Sequence, residues 1–130
     1  MNKLILAMLL AVVSSSAVAE WVGAGSSSDE TVTAYADPAT IRKAGNMVTM
    51  WVLFDYKTAQ AGDGKEYLSA KMQSEYDCKE EQWRMPHASF HSGNMGEGVI
   101  VENASYPGKW SPVPPGSTTE TLWKIACGKR

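Results

Sequence analysis

Two histidines flank a serine in the segment 87–91 (HASFH), a spacing that could support either metal binding or nucleophilic catalysis. Residues four apart face one metal ion on a helix, but this segment follows Pro86 and is predicted to be a strand. On a strand, His87 and His91 lie roughly 13 Å apart, which is too far for one ion. Ser89 shares the face of both rings and could approach either one. The sequence contains no identifiable third group to orient the imidazole as a base.

Other catalytic signatures are absent from the sequence. There is no G-x-S-x-G motif, no H-E-x-x-H motif and no glycine-rich phosphate loop. The methionines fit gap-filling in a core better than soft-metal binding. We therefore expect a protein that is not an enzyme, with no catalytic, cofactor-binding or metal-binding residues. A haem ligated by a single histidine, His87 or His91, remains an open alternative, and otherwise these side chains are polar surface or partner contacts.

Cys78 and Cys127 are the only cysteines in the chain. A redox pair usually has close spacing such as C-x-x-C, which this sequence lacks. In an oxidising compartment the default state of such a pair is a disulfide. The closed loop is about fifty residues long, for which the chain-entropy model gives a stabilisation of ~4 kcal/mol. We therefore predict a structural disulfide between Cys78 and Cys127.

The first nineteen residues have the features of a cleaved signal peptide. Lys3 precedes an apolar run over residues 4–13, and Ala17-Val18-Ala19 matches the small-residue cleavage rule. The run is too short to span a membrane, which takes ~20 residues. Cleavage leaves Glu20 first, with no cysteine there for a lipid anchor. We expect residues 20–130 to form one exported domain in the periplasm, at the cell surface or secreted.

The composition fits a single globular domain and excludes some partners. Hydrophobic residues make up 44% of the 130 positions and the net charge is only −2, which argues against disorder. Binding to DNA or RNA requires a basic footprint that this charge balance does not supply. No nucleic acid partner is therefore expected.

Residues 47–56 show the clearest strand pattern. One face of this segment is entirely apolar and consists of Val48, Met50, Val52, Phe54 and Tyr56. The opposite face is mixed and carries Trp51 and Leu53. A period of two predicts a strand with its apolar face in the core. Residues 67–76 alternate in the same way and predict its antiparallel partner, with one side in water.

Weaker signals predict the remaining strands and turns. Residues 31–36 are β-prone, and Asp37-Pro38 then predicts a short helical turn with Asp37 as N-cap. Residues 58–66 predict a loop. Residues 83–91 predict a strand in which Pro86 indicates an edge or a bulge. With a short strand over 98–102, the sequence predicts an antiparallel sheet of five to six strands.

The C-terminal segment predicts a helix with both ends marked. Ser117 and Glu120 have the spacing of a capping box, and Gly128 suits the position after the last turn. Leu122, Ile125 and Ala126 form an apolar stripe. The helix ends at Cys127, so the predicted disulfide would attach it to the sheet. The fold class is therefore α+β.

Trp51 and Leu53 lie on the face of their strand that is not assigned to the core. One helix covers only part of such a sheet, so these apolar side chains need another cover. A homodimer or a ligand groove would supply it, and exposed aromatics of this kind are typical anchors for a protein partner. Trp51 and Leu53 are therefore the candidate partner contacts.

The arrangement of these residues resembles the surface-adhesin protein E family of Gram-negative bacteria. The matching features are Trp21, Tyr35-x-Asp37-Pro38-x-x-Ile41, Val48, Trp51, Ser69, Asp77-Cys78, Trp110-x-x-Val113-x-Pro115-x-Ser117 and Cys127. The resemblance implies a six-stranded, PAS-like antiparallel sheet with a disulfide-tethered C-terminal helix. It further implies a dimeric adhesin that binds host matrix proteins such as vitronectin and laminin, and for which haem binding is reported.

The function expected from the sequence is that of an exported, non-enzymatic, adhesin-like module that binds a protein partner. The alternative is a periplasmic protein that binds a small ligand, haem or an aromatic compound, and has no adhesive role. The surplus aromatic residues fit both hypotheses, because a second sheet face could receive a protein or a small molecule.

Overall fold

The computed structural model describes residues 20–62, 64–106 and 108–129. They form one antiparallel sheet with an α-helix at the C-terminal end. The strands are β1 (Val22–Ser26), β2 (Val32–Ala44), β3 (Met47–Gly62), β4 (Lys65–Asp77), β5 (Gln82–His91), β6 (Ile100–Ser105) and β7 (Ser111–Pro112), and the helix is α1 (Thr118–Cys127). Strands β1 to β6 lie side by side in chain order, and β7 pairs with β5. The predicted α+β class is confirmed. The predicted signal peptide, residues 1–19, lies outside the described residues and stays a prediction.

The core lies between α1 and one face of the sheet, as the alternation in β3 predicts. Val48, Met50 and Val52 are buried on this face. The helix contributes Leu122, Trp123 and Ala126 to the same cluster. The helix packs mainly over β1, β2 and β3. Its ten residues extend about 15 Å, so the β4–β6 part of this face is less covered.

The disulfide and the helix caps confirm the predicted tether. Cys78 and Cys127 are bonded, with their Cα atoms 5.6 Å apart. The Ser117 side chain accepts a hydrogen bond from the Glu120 backbone N–H at 3.1 Å. The Glu120 carboxylate in turn accepts from the Gly116 N–H at 3.1 Å, one residue earlier than a standard capping box. Gly128 ends the helix in the left-handed conformation, with φ of 69°.

The predicted helical turn at Asp37-Pro38 is wrong. Strand β2 continues through this segment with a large bulge, because four residues of β2 (38–41) face the single β3 residue Met50. The Asp37 carboxylate still accepts from the Ala39 N–H at 3.2 Å, as an N-cap does. No helix follows, because β2 pairs with β3 again from Arg42 onward. The pairing of β2 with β3 therefore overrides the local preference for a helical turn.

One predicted loop needs correction, and one strand was not predicted. The predicted loop over 58–66 is strand for most of its length, since β3 and β4 pair up to Gly62 and Lys65. Pro86 confirms the predicted alternative of a bulge, because residues 85–86 face the single β4 residue Ser74. Strand β1 was not predicted, because its sequence VGAGS contains two glycines and no clear alternation. Within the described residues, no helix has the length and apolar character needed to cross a membrane.

Candidate functional site

The face of the sheet opposite α1, here called the open face, carries two rows of polar and aromatic side chains. Each row consists of residues directly opposite one another on neighbouring strands, so that their side chains share a face. The first row is Asp37, Trp51, Gln73, His87 and Ser105. The second row is Tyr35, Leu53, Lys71, Ser89 and Asn103. The sequence-predicted contact Trp51 and both histidine candidates therefore lie on one surface.

The β2 bulge positions Trp51 on this surface. The Thr40 hydroxyl oxygen accepts a hydrogen bond from the Trp51 backbone N–H at 2.9 Å. The same hydroxyl donates to the Asp37 carbonyl at 2.6 Å. Thr40 thus replaces the strand carbonyl that the bulge removes from the ladder. The β2 segment that was predicted to be a helical turn therefore positions the backbone of Trp51.

Trp51 lies between two shallow depressions and is only partly buried. The first has a volume of about 230 Å³ and is lined by Trp21, Asp37, Thr40, Trp51 and Lys71. The second has a volume of about 300 Å³, and its walls include Trp51, His87, Ser89, Ile100 and Asn103. An aromatic side chain with hydrogen-bonding groups on either side is the composition found at protein recognition sites.

Leu53, the second predicted contact, is covered by the chain itself. It is 0% exposed, and the turn at residues 94–96 lies over it. The Ser69 hydroxyl holds this turn, donating to the Gly93 carbonyl at 2.7 Å and accepting from the Gly96 N–H at 2.8 Å. The Asp55 carboxylate adds a bond from the Met95 N–H at 2.7 Å. The cover that the sequence analysis assigned to a partner is therefore intramolecular for Leu53, which leaves Trp51 as the accessible residue of the two.

The two histidines occupy different environments on the open face. His91 is 4% exposed, and its Nε2 lies 2.8 Å from the Ser89 hydroxyl. Its buried Nδ1 has no hydrogen-bond partner among the described residues, so none of them orients the ring as a third group. Burial lowers the pKa of His91, and the nearby Lys71 ammonium lowers it further. His87 is exposed, with Nδ1 3.3 Å from the Ser105 hydroxyl. Across the described ranges no three His, Cys, Asp or Glu side chains lie close enough to hold a metal ion.

A second concave site, here called the groove, lies on the other face of the sheet beside α1. Its volume is about 260 Å³. It is lined by Val52, Phe54, Tyr56, Met72, Ser74, Tyr76, Trp83, Met85, Thr119 and Leu122. The sequence did not predict the groove, because the patterns placed six of its lining residues on apolar faces: Val52, Phe54, Tyr56, Met72, Tyr76 and Leu122. How much of the core face a ten-residue helix leaves open depends on where the helix sits, which local sequence does not determine.

Comparison with known protein families identifies the family of the chain. The family model described as surface-adhesin protein E matches residues 21–128. The chain belongs to the surface-adhesin protein E family. The match includes the disulfide, the tethered helix and the open face. No curated protein sequence matches the chain at a significant level.

Solved structures of a member of the surface-adhesin protein E family share the fold. Protein E from Haemophilus influenzae aligns with a TM-score of 0.58 and 14% identity, covering 73% of this chain and 76% of that chain. Its selenomethionine form aligns with a TM-score of 0.62 and 11% identity, covering 87% and 89%. Protein E from non-typeable H. influenzae gives 0.57 and 14%, covering 84% of each. At these identities the likeness shows the fold alone.

Haem ligation fits the described residues poorly. The groove has the apolar walls that a porphyrin prefers, but no imidazole lines it. On the open face His91 is buried with its Nε2 already hydrogen-bonded. His87 alone can present a ring nitrogen to an outside ligand, beside a depression that is shallow and partly polar. We therefore derive no function through haem for this member of the surface-adhesin protein E family.

Proposed function

We propose that this protein is an exported, non-enzymatic, adhesin-like module that binds a protein partner, such as a host matrix protein, through the open face around Trp51. The observation that carries the proposal is the partly buried Trp51 between two depressions on the face that α1 leaves free. Membership in the surface-adhesin protein E family supports the adhesive role.

The chemistry of the open face suits a protein partner. Asp37 and Lys71 line one depression, and His87, Ser89 and Asn103 line the other. These side chains provide hydrogen-bond donors, hydrogen-bond acceptors and charged groups of both signs around one aromatic residue. Non-obligate protein interfaces have a similar composition. Ile100 is 54% exposed at the rim of the second depression and extends the apolar contact area.

The Ser89–His91 pair does not favour an enzymatic role. A serine nucleophile needs a base that a third group holds in the correct tautomer. In the part of the chain that the structure describes, the buried His91 Nδ1 lacks that partner. The pair is better explained as a local hydrogen bond that satisfies one nitrogen of a buried ring.

The first test of the proposal is binding of the purified, disulfide-bonded protein to immobilised vitronectin and laminin. The proposal predicts saturable binding at micromolar concentration that weakens with Trp51→Ala. Absence of binding to both matrix proteins overturns the choice of partner. A periplasmic protein without adhesive role is the alternative, and protease shaving of intact cells separates it from a surface protein, because shaving removes only what the cell displays.

A further inference from the structure

We propose that the groove beside α1 binds the acyl chain of a single-chain anionic amphiphile, such as a medium-length fatty acid. The site lies on the sheet face opposite Trp51, so the inference goes beyond the proposed adhesive function and does not depend on it. It rests on the chemistry of the groove walls and on the basic side chains of an adjoining depression.

The groove walls carry no charged side chain. Phe54, Met72 and Met85 supply apolar surface, and Leu122 closes one side from the helix. The polar groups of the lining residues are the hydroxyls of Ser74, Thr119 and two tyrosines and the indole N–H of Trp83. Burial raises the pKa of both Tyr56 and Tyr76, so the two phenols are neutral at physiological pH. An occupant must therefore be apolar along the length that enters the groove.

The apolar surface continues beyond the groove along the sheet. The Tyr56 ring lies 5.7 Å from the Tyr67 ring, and Tyr67 lies 4.8 Å from Phe90, both measured between centroids. A row of rings that extends from the groove matches a flexible chain better than a compact molecule. The volume of about 260 Å³ lies near the lower limit of small-molecule sites, which suits one chain and not a two-chain lipid.

A depression with basic side chains in its walls adjoins the groove. A neighbouring depression shares Trp83 and Met85 with the groove and adds Arg84 and Lys109. Arg84 pairs with Glu75 at 2.9 Å, and this is the one ion pair among the described side chains. The Lys109 ammonium is therefore available to a ligand. An apolar groove beside a depression that an exposed lysine lines is complementary in charge to an anionic head group on an apolar chain.

The experiment is a titration of the purified, disulfide-bonded protein with monomeric decanoate and dodecanoate, followed by calorimetry and by ¹H–¹⁵N correlation spectra. Each methylene buried strengthens binding about fourfold, so dodecanoate should bind roughly fifteenfold more tightly than decanoate. Amide shifts should concentrate on α1 and on β4–β5 residues beside the groove. Shifts confined to the open face around Trp51, or no binding of either acid, overturn the proposal.

Separate variants test where the acyl chain of the fatty acid binds and where its head group binds. Met85→Glu places a charge in the groove wall and should weaken dodecanoate binding at least tenfold. The matched control Met47→Glu alters an exposed methionine outside the groove and should leave binding unchanged. If Met85→Glu fails to fold, Thr119→Trp fills the groove from its rim and gives the same test. Equal affinity for wild type and a folded groove variant overturns the proposal.

Lys109→Ala should weaken dodecanoate binding about two- to fivefold and leave dodecanol binding unchanged, with Lys43→Ala as the control. Binding to phosphatidylglycerol vesicles without binding to monomeric dodecanoate overturns the proposal in favour of a lipid surface. Trp51→Ala should retain full affinity for dodecanoate. A failure to bind matrix proteins therefore does not contradict the fatty-acid site, and a failure to bind dodecanoate does not contradict the proposed adhesive function.

Discussion

The Trp123 indole Nε1 donates a 3.0 Å hydrogen bond to the Asp77 backbone carbonyl, one residue before Cys78. The helix is thus attached at the end of β4 by a buried hydrogen bond and by the Cys78–Cys127 disulfide. Together these links hold α1 over one face of the sheet. The proposed recognition surface around Trp51 lies on the opposite face.

Trp123→Phe tests the hydrogen-bonded link. The phenyl ring keeps most of the apolar burial but leaves the Asp77 carbonyl without its donor, which costs about 1–3 kcal/mol. Urea unfolding followed by circular dichroism measures the loss. Trp51→Phe, on the open face, should change stability by less than ~0.5 kcal/mol. Equal stability of Trp123→Phe and wild type would show that this bond contributes nothing.

Removal of the disulfide should lower the free energy of unfolding by ~4 kcal/mol. The double variant Cys78→Ser, Cys127→Ser removes the link without leaving a free thiol, and reduction of the wild type should produce a matching loss. A thiol assay in denaturant should detect no free cysteine before reduction. A double variant as stable as the oxidised wild type would contradict the tether.

Ser69→Ala tests the intramolecular cover over Leu53. Ser69 is 0% exposed and loses its bonds to the Gly93 carbonyl and the Gly96 N–H. The expected cost is about 1–3 kcal/mol, and hydrogen exchange at residues 92–98 should speed up more than exchange in the strands. Ser74→Ala, in the groove on the other face, is the control for that local change. Uniform acceleration over the whole sheet would contradict a local role for Ser69.

His91 should make stability fall in mild acid. Burial, aided by Lys71, holds the folded-state pKa of His91 below its ordinary value of 6.5. Below pH 6.5 the unfolded chain binds a proton at this site that the folded chain resists, so stability declines as the pH falls through that window. Urea midpoints at pH 7.5 and pH 5.5 measure the effect. His91→Gln should lose this pH dependence, and the exposed-site control His87→Gln should keep it.

Local patterns in the sequence were sufficient for much of the architecture. The alternation in β3 predicts its core face because burial follows the period of the strand. The Ser117 cap and Gly128 predict both ends of α1 because the bonds they make are local. The Cys78–Cys127 link followed from cysteine count and compartment, and placed α1 on the sheet.

The features that sequence missed depend on contacts between distant residues. Ser69 forms hydrogen bonds with Gly93 and Gly96, which lie 24 and 27 residues further along the chain. No local sequence pattern could therefore predict that Leu53 is covered. The β2 bulge depends on Thr40 meeting Trp51, 11 residues away on β3. Trp51 could therefore be named as a contact from its position on the mixed face, but the bulge that holds it and the groove behind it could not.

The most direct test of the recognition surface compares Trp51→Ala with Trp83→Ala in binding to immobilised vitronectin and laminin. Both substitutions remove a partly buried indole, one from the open face and one from the groove on the other side of the sheet. Unfolding measurements on both variants first confirm that they are folded. We predict that Trp51→Ala weakens binding about thirtyfold or more, by the ~2 kcal/mol or more typical of an anchor residue, and that Trp83→Ala binds like wild type. Wild-type affinity in Trp51→Ala, or equal losses in both variants, would contradict the open face as the site of adhesion.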